Sequence, residues 1–454
     1  MSVDTGTTAL LRIGEFVTAA DVPQAARARA TSAVLDTVGV TLAGASEPAA
    51  RIVQRVVAAE GGDGCTILGS AGRAAPGSAA LANGTAAHAL DFDDMCFVSL
   101  AHPSAPLVSA AIAAAEVAAA GGRALLDAYV IGFEIEARLG RVMNPRHYQR
   151  GWHCTSTLGT IGAAAASARL LGLAADSAAH AIAIAASEAS GLKENFGTMV
   201  KPLHAGLAAR NGVLAALLAR AGFTASAHAL DGAQGFLVAM DSERTALDQE
   251  LWDLGSRWEI LDTGITVKLY PSCAGTHPTL DAILDLRRRE GFTAADVDRI
   301  DVTVDSITPT VLIHPHPSTG LEAKFSMQFC AAAAIVNGFV GIDTFDPASL
   351  ADPRVQAILP LVTMRVDPAL DSGAPPLTQA RVSIALRDGR TVSQEANGAR
   401  GYPDRPASED ELAAKFLACA KRTIDDGTAR QALERLQHVE TVSDVRAVTS
   451  VLRG

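Results

Sequence analysis

Apolar residues recur at helical spacing through the first 260 positions of the chain. The stretch RARATSAVLDTVGVTLAG (27–44) places its apolar residues three and four positions apart and ends on Gly44. The same spacing predicts further helices over 105–120, 123–141, 155–172, 175–189, 204–221 and 244–254. Small residues dominate their faces, which allows helix axes to approach one another closely. The pattern therefore predicts a dense bundle of helices.

The pattern changes near residue 265. DRIDVTVDSI (298–307) alternates polar and apolar residues, as a half-buried strand does. ARVSIALRDGRTVSQEA (380–396) reads as a hairpin turning at Asp388-Gly389, with an apolar helix predicted before it over 323–338. Helical spacing returns at SEDELAAKFLACAKRTI, where Ser408 and Glu411 stand in capping-box spacing.

These changes predict a mainly α protein of two domains. A chain of 454 residues exceeds the roughly 250–300 at which single cores usually divide. We expect a helical domain built from both chain ends, 1–265 and 401–454, with a smaller α+β domain, 266–400, inserted between them. The proline-rich segment 367–379 is predicted to be a surface connection.

Composition narrows the class of protein. Hydrophobic residues make up 49% and charged residues 19%, as in globular proteins. The net charge of −11 argues against nucleic acid and anionic membranes as partners. Six scattered cysteines without a CxxC pair, and an N-terminus without a basic and apolar leader, predict a reduced, soluble, cytoplasmic protein.

The first candidate site is HALDFDDMCFVSLAHPS (88–104). Asp91, Asp93 and Asp94 cannot all enter an apolar bundle as unpaired ions, because burying such charges is too costly. Two interpretations stay open, a solvated acidic helix end and a polar pocket in which a carboxylate lies beside His102. Ser104 would then lie at the start of the next helix, a natural anion site.

Three later segments repeat the combination of polar residues with a helix start. GWHCTSTLGTIG carries His153, with Tyr148 shortly before it, and FGTMVKPLHAGLAARNG carries Lys201 and His204. ITVKLYPSCAGTHPTLDAIL carries Lys268, Ser272 and Cys273. A structural histidine, a solvated lysine and an inert cysteine are the competing interpretations. The chain lacks GxxxxGK[ST], GxGxxG before a helix, GxSxG and HExxH. The DFDD run has ligands for Mg²⁺ but lacks DDxxD spacing, so no metal is predicted.

Seven segments in this order resemble the MmgE/PrpD family. They are NGTAAHALDFDD (83–94), HPS (102–104), GWHCTS (151–156), GTMVKPLHAGLAARNG (197–212), LDGAQGFL (230–237), KLYPSCAGTHP (268–278) and EAKFSMQF (322–329). The family contains 2-methylcitrate dehydratase, cis-aconitate decarboxylase and iminodisuccinate epimerase. The resemblance implies a homodimer without metal or organic cofactor and a site in a cleft between a helical domain and a lid. Its substrate would be a small anionic di- or tricarboxylate.

The resemblance also implies the site residues. It places the active-site positions on Asp91, His102, His153, Lys201, Lys268 and, from the epimerase branch, Tyr148. We expect Lys201 to bind substrate and the others to be catalytic. Because of their positions at helix starts, we also expect His204, Ser104 and Ser272 to bind substrate. All three family reactions rework a carbon next to a carboxylate, where negative charge develops, so cationic donors and a base of tuned pKa are needed. An anionic substrate then requires a locally positive cleft.

Two differences from the motifs of the decarboxylase branch bear on which of the three reactions we expect. The decarboxylase branch resembles DFDDT where this chain has Met95 after Asp94, and it carries a tyrosine in the lid helix where we align Phe329. We therefore place decarboxylation last. The sequence does not decide between the other two, and dehydration leads over epimerisation because loss of water is the commonest outcome in such a family. A protein that only binds polycarboxylates is the alternative outside enzymes.

Overall fold

The computed structural model describes residues 8–243, 245–371 and 378–454. The protein is mainly α-helical, as the sequence predicts. Residues 8–262 contain the two-residue strands β1 (Cys65–Thr66) and β2 (Arg73–Ala74) and a succession of helices. The helices are α1 (Ala9–Ala19), α2 (Gln24–Gly44), α3 (Pro48–Glu60), α4 (Pro76–His88), α5 (Ser104–Ala118), α6 (Gly122–Met143), α7 (Arg146–Gln149), α8 (Cys154–Leu170), α9 (Ala175–Glu188), α10 (Val200–Arg220), α11 (Phe236–Ala239), α12 (Thr245–Leu251) and α13 (Glu259–Asp262).

Glycines bring α4 and α10 into backbone contact. A Cβ on Gly84 would lie 2.9 Å from the Cα of Gly206, and a Cβ on Gly206 would lie 2.4 Å from the carbonyl oxygen of Leu81. The sequence prediction of close helix axes is confirmed here. The two helices are antiparallel, since Gly77 lies near Arg210 and Gly84 lies near Gly206. His88 at the end of α4 is therefore next to Lys201 at the start of α10.

The second half of the chain adds a four-stranded sheet. Its elements are α14 (His277–Glu290), β3 (Val297–Val304), α15 (Gly320–Ala323), α16 (Met327–Asn337), α17 (Pro347–Leu350), α18 (Pro353–Ile358), β4 (Val362–Val366), β5 (Gln379–Leu386) and β6 (Thr391–Asn397). The strand order is β4-β3-β5-β6, with β4 parallel to β3 and the other pairs antiparallel. The chain then returns to helix in α19 (Glu409–Ala420), α20 (Asp426–Gln437) and α21 (Arg446–Thr449).

The predicted hairpin and cap are confirmed. Gly389 turns between β5 and β6 with φ +92°, a conformation that glycine adopts without a steric penalty. The Ser408 side chain accepts from the Glu411 N–H, and the Glu411 carboxylate accepts from the Ser408 N–H. Residues 372–377 of the predicted connection 367–379 lie outside the described part of the chain. Residues 1–7, the start of the N-terminal segment discussed above, lie outside it as well.

Buried apolar side chains form two large clusters. One runs from Ala9 to Val267 and resumes from Leu412 to Leu452, and the other runs from Tyr270 to Ala396. Two such clusters are expected if the chain has domain boundaries near 266 and 400. The boundaries themselves remain a prediction. Over the described ranges, no helix has both the length and the apolarity to cross a bilayer.

Candidate active site

A cavity of about 560 Å³ lies between the two apolar clusters. Its lining includes Asp91, His102, His153 and Lys201 from the first half of the chain, and Phe325 from the second. The volume is in the usual range for small-molecule sites. Four predicted site residues from three distant segments therefore meet at one cavity.

Helix ends deliver these side chains. His88 closes α4, and the loop that follows carries Asp91 in a left-handed conformation, φ +52°. His153 immediately precedes α8, and Lys201 is the second residue of α10. Helix termini leave backbone groups without intrahelical partners, so polar side chains and ligands are accommodated there more readily than at the middle of a helix.

Asp91 lies between two buried ammonium groups. Its Oδ1 is 2.5 Å from Lys201 Nζ and its Oδ2 is 2.9 Å from Lys268 Nζ. Burial alone would raise the pKa of Asp91, but Lys201 and Lys268 outweigh it and hold the pKa well below its usual value. Asp91 is therefore a fixed carboxylate that orients two cations, and the solvated interpretation of the acidic run is wrong.

His88, which the sequence analysis did not assign, connects this pair to Asp93. Its Nε2 lies 2.9 Å from Lys201 Nζ and its Nδ1 lies 2.7 Å from Asp93 Oδ2. Since an ammonium can only donate, Nε2 accepts from Lys201 and Nδ1–H donates to the carboxylate. Two signals in the sequence could have pointed to His88: it lies within the family segment 83–94, and it is close to Asp91. A histidine at the end of a helix is, however, equally compatible with a structural role in the core.

His102 and His153 are neutral imidazoles beside the lysines. Burial lowers the pKa of His102 well below its usual value, and the nearby Lys268 and Lys201 lower it further. Burial, followed by Lys201, does the same to the pKa of His153. Among the described residues, His153 Nε2 has no hydrogen-bond partner. His102 Nδ1 also makes no hydrogen bond, although Asp93 Oδ2 lies 3.5 Å from it. Unpartnered ring nitrogens at a cavity are available to a ligand.

The imidazole rings form a row. His88 stands edge-on to His102 with ring centroids 4.5 Å apart, and it stacks on His153 at 5.7 Å. His153 Nδ1 is 3.0 Å from His204 Nδ1. His204 does not line the cavity, so its contact with His153 can fix the orientation of that ring.

The other predicted residues lie at different depths. Tyr148 lines the cavity, and burial raises the pKa of its phenol well above the usual value. Lys268 is fully buried behind Asp91, where its ammonium also donates to the Asp91 carbonyl. Ser104 and Ser272 are outside the lining: the first bonds Asp94 and Tyr129, and the second bonds Thr276.

The Cys273 thiol lines the cavity but is not activated. Burial raises its pKa to about 11, and Asp91 adds to the increase. The thiolate is the nucleophilic form, and this environment disfavours it. The weak nucleophile hypothesis for Cys273 gains nothing from the structure.

Apolar side chains form part of the cavity wall. Met95 and Phe325 are in the lining, together with Phe97, Val98, Leu100 and Phe196. Phe329, the lid position singled out in the sequence, is fully buried against Phe345 instead and is absent from the lining. The aromatic residue of EAKFSMQF that faces the cavity is therefore Phe325.

Two side chains of the described lining carry a fixed positive charge, Lys201 and Arg141. Acidic side chains outnumber these two, since Glu250, Asp305 and Asp371 line the cavity together with Asp91. Asp305 and Asp371 accept backbone N–H groups of the 306–308 turn, which accounts for them structurally. The sequence analysis asked for a locally positive cleft, and the lysines Lys201 and Lys268 come together at Asp91.

The spacing of four side chains would also suit a metal ion. His88, Asp91, Asp93 and His102 each offer a ligand atom within 4.8 Å of the others. The Lys201 ammonium already lies between His88 and Asp91, and Lys268 neutralises the same carboxylate. A divalent cation would have to displace these buried ammonium groups, so the residues as arranged do not fit one.

Family models match both halves of the chain. The MmgE/PrpD N-terminal domain matches residues 12–247 and the MmgE/PrpD C-terminal domain matches residues 270–440. A cis-aconitate decarboxylase-like protein, oryM, of Aspergillus oryzae is 29% identical over 96% of this chain and 94% of its own. The cis-aconitate decarboxylase of Mus musculus is 28% identical over 84% and 79%, and that of Aspergillus terreus is 26% identical over 95% and 92%.

Proposed function

The chain belongs to the MmgE/PrpD family, and from that premise we propose that it is a cofactor-independent lyase for a small di- or tricarboxylate. The observation that carries the proposal is the group of histidines and lysines around Asp91. There, two neutral imidazoles with unpartnered nitrogens lie beside a lysine pair organised by Asp91. This combination supplies a proton acceptor and a fixed positive charge at one place.

The chemistry begins with removal of a proton next to a carboxylate. The electron pair of that C–H bond moves toward the adjacent carboxyl group, and fixed cations lower the energy of the charge that develops there. Two cations line the cavity, Lys201 and Arg141. Arg141 is held by both carboxylate oxygens of Glu259, so we assign Lys201 to the substrate carboxylate. His102 is the proposed base, with His153 as the second candidate, since both are neutral and able to accept. Asp91 is assigned to orientation, because both of its carboxylate oxygens already accept from lysine ammonium groups.

Loss of water is the first candidate for the second half of the reaction. A hydroxyl leaves more easily when it is protonated, and the Tyr148 phenol remains protonated at neutral pH because burial raises its pKa. A base and an acid at one cavity suit dehydration of a hydroxy-tricarboxylate. Epimerisation would need a base for the proton that leaves and an acid for the proton that returns, roles open to a neutral histidine and to the Tyr148 phenol. The experiment below detects this outcome.

Decarboxylation is a second candidate, and the comparisons favour it. The relatives described above are named for cis-aconitate, an unsaturated tricarboxylate. In that reaction carbon dioxide leaves first and the resulting carbanion takes up a proton. The carbanion would take its proton from an acid, and the Tyr148 phenol is a protonated group in the lining.

Proton NMR of the purified protein in D₂O with individual polycarboxylates separates these reactions. A hydroxy-tricarboxylate that yields vinylic signals indicates dehydration, and cis-aconitate that yields a methylene-substituted diacid with released carbon dioxide indicates decarboxylation. Exchange of an α-proton with loss of optical rotation and no new compound indicates epimerisation. Failure of every di- and tricarboxylate in the panel to react would contradict the proposal.

Matched histidine variants test the assignment of the base. His102→Gln is expected to lower turnover by about 10²–10⁴-fold, the usual contribution of a general base. His228 has a side chain that is 67% exposed, so His228→Gln serves as the control and should leave turnover unchanged. Full activity in His102→Gln and His153→Gln would overturn the assignment. The homodimer and the cytoplasmic location remain predictions, and light scattering of the purified protein checks the former.

A further inference from the structure

Lysine is rare in this chain and concentrated in one place. There are six lysines in 454 residues, and arginine supplies the rest of the 38 basic side chains. Four of the six, Lys201, Lys268, Lys324 and Lys415, are buried and are called the lysine cluster here. All four hydrogen-bond to residues 90–92, the loop that carries Asp91.

Three members of the lysine cluster bind three successive backbone carbonyls. Lys324 Nζ donates to the Leu90 oxygen at 2.8 Å, and Lys268 Nζ donates to the Asp91 oxygen at 3.0 Å. Lys415 Nζ donates to the Phe92 oxygen at 2.8 Å. The donors come from sites far apart in the sequence, so the loop is held from several directions.

The loop needs this support because of its conformation. Asp91 has φ +52°, in the left-handed region that is unfavourable for a residue with a side chain. Buried carbonyls also need hydrogen-bond donors, and a turn of this kind provides few of its own. An ammonium is compact and presents three donors from one atom, whereas the guanidinium of arginine is a planar fork. Lysine is thus suited to a carbonyl in a tight space.

Lys324 and Lys415 are themselves held in place. Lys324 Nζ also donates to the Pro271 carbonyl at 2.9 Å and lies 4.4 Å from the centre of the Phe345 ring. Lys415 Nζ is 2.7 Å from Asp36 Oδ1 and 4.0 Å from the centre of the Phe92 ring. Neither residue lines the cavity, so neither has a direct route to a bound substrate.

We propose that Lys324 and Lys415 are positioning residues for the reaction, which fix the loop backbone on either side of Asp91 so that its carboxylate stands between Lys201 and Lys268. The proposal rests on the function proposed above, since it assigns these lysines to the same site. It ties that site to α19 and to the segment before α16, two parts of the chain that carry no cavity-lining charge.

The test compares Lys324→Met and Lys415→Met with the control Lys421→Met, whose lysine is 40% exposed in a surface pair with Asp426. The first measurement is hydrogen–deuterium exchange followed by mass spectrometry, which needs no substrate. We expect faster exchange in peptides covering 88–96 in the first two variants, unchanged exchange in β5 and β6, and no change in the control.

The second measurement is steady-state kinetics on the substrate found by NMR. A loop displaced by about 1 Å is expected to lower kcat about 10²-fold. KM should change less, because every lining residue except Asp91 lies outside residues 90–92. Lys324→Gln and Lys415→Gln retain one neutral donor for the carbonyl. They should fold if the methionine variants do not, and they should keep intermediate values of kcat.

The outcomes are distinct. Exchange at 88–96 that rises no more than in the rest of the protein, together with the kcat of the control, would show a general packing role and overturn the proposal. If no polycarboxylate is turned over by the unaltered protein, the proposed function fails, and the exchange measurement alone decides whether these lysines fix the loop.

Discussion

Replacing Asp91 by asparagine removes the one charge that two buried ammonium groups share. Lys201 and Lys268 have side chains that are 5% and 0% exposed, and their Nζ atoms lie 2.5 and 2.9 Å from the carboxylate. Taking one partner from a buried ion pair costs about 3–5 kcal/mol, because the remaining charge has no compensation. With two ammonium groups affected, we expect Asp91→Asn to lower the free energy of unfolding by at least about 3 kcal/mol.

Urea unfolding followed by circular dichroism at neutral pH measures this loss. A double-mutant cycle with Lys268→Met separates the pair from other effects, because the double variant no longer buries the second unpaired ammonium. We expect Asp91→Asn/Lys268→Met to be more stable than the sum of the single losses allows, by about 1–3 kcal/mol. Asp248→Asn, in an exposed pair with Arg12, is the control and should change stability by less than about 0.5 kcal/mol.

Two results would refute this reasoning. A loss below about 1 kcal/mol in Asp91→Asn would mean that the ammonium groups are compensated by other groups. Strictly additive losses in the cycle would mean that Asp91 and Lys268 do not interact in the folded protein.

Three further predictions concern groups around the cavity. Burial raises the pKa of Asp94 to about 8, whereas its pKa in the unfolded chain is near 4, so its ionisation destabilises the folded protein as the pH rises between these values. In urea unfolding, Asp94→Asn should therefore be as stable as the parent protein at pH 4. Its free energy of unfolding should exceed that of the parent by about 1.4 kcal/mol more for each pH unit towards pH 8. Phe325→Tyr should retain stability because the ring lines the cavity, whereas Phe329→Tyr buries an unpaired hydroxyl and should cost about 1–3 kcal/mol by the same measurement. Gly206→Ala should lower stability by about 1–3 kcal/mol and reduce turnover, because its Cβ would meet α4 backbone, while Gly72→Ala, with no atom nearer than 3.4 Å, should do neither; equal melting temperatures would contradict this.

The sequence predicted the elements whose signals are local. The hairpin at Asp388-Gly389 and the cap at Ser408 are written in adjacent residues, and the structure has both. The parallel strand β4 was missed, because five residues packed against β3 carry no turn signal of their own and their partner is distant in sequence. Fold class could be predicted because helical spacing dominates the chain.

The candidate site was predictable in part, for a related reason. Family motifs pointed to Asp91, His102, His153 and Lys201, which do meet at one cavity. The sequence analysis assigned Ser104 and Ser272 to substrate binding, but a hydroxyl near a helix start has several possible partners. Ser104 hydrogen-bonds to Tyr129 and Ser272 hydrogen-bonds to Thr276. Lys324 and Lys415 were not assigned, because a lysine that binds a distant backbone carbonyl leaves no spacing pattern.

The lysine cluster also constrains how the protein is made. Its members lie at positions 201, 268, 324 and 415, so the last of them emerges from the ribosome only after both apolar clusters have been almost entirely synthesised. Domains generally begin to fold as units during synthesis, but contacts between distant segments form late because their loops must close first. A nascent chain that stops before α19 lacks the donor for the Phe92 carbonyl. Competence of the site should therefore arrive with the final helices, as a late step of maturation rather than a property of either half alone.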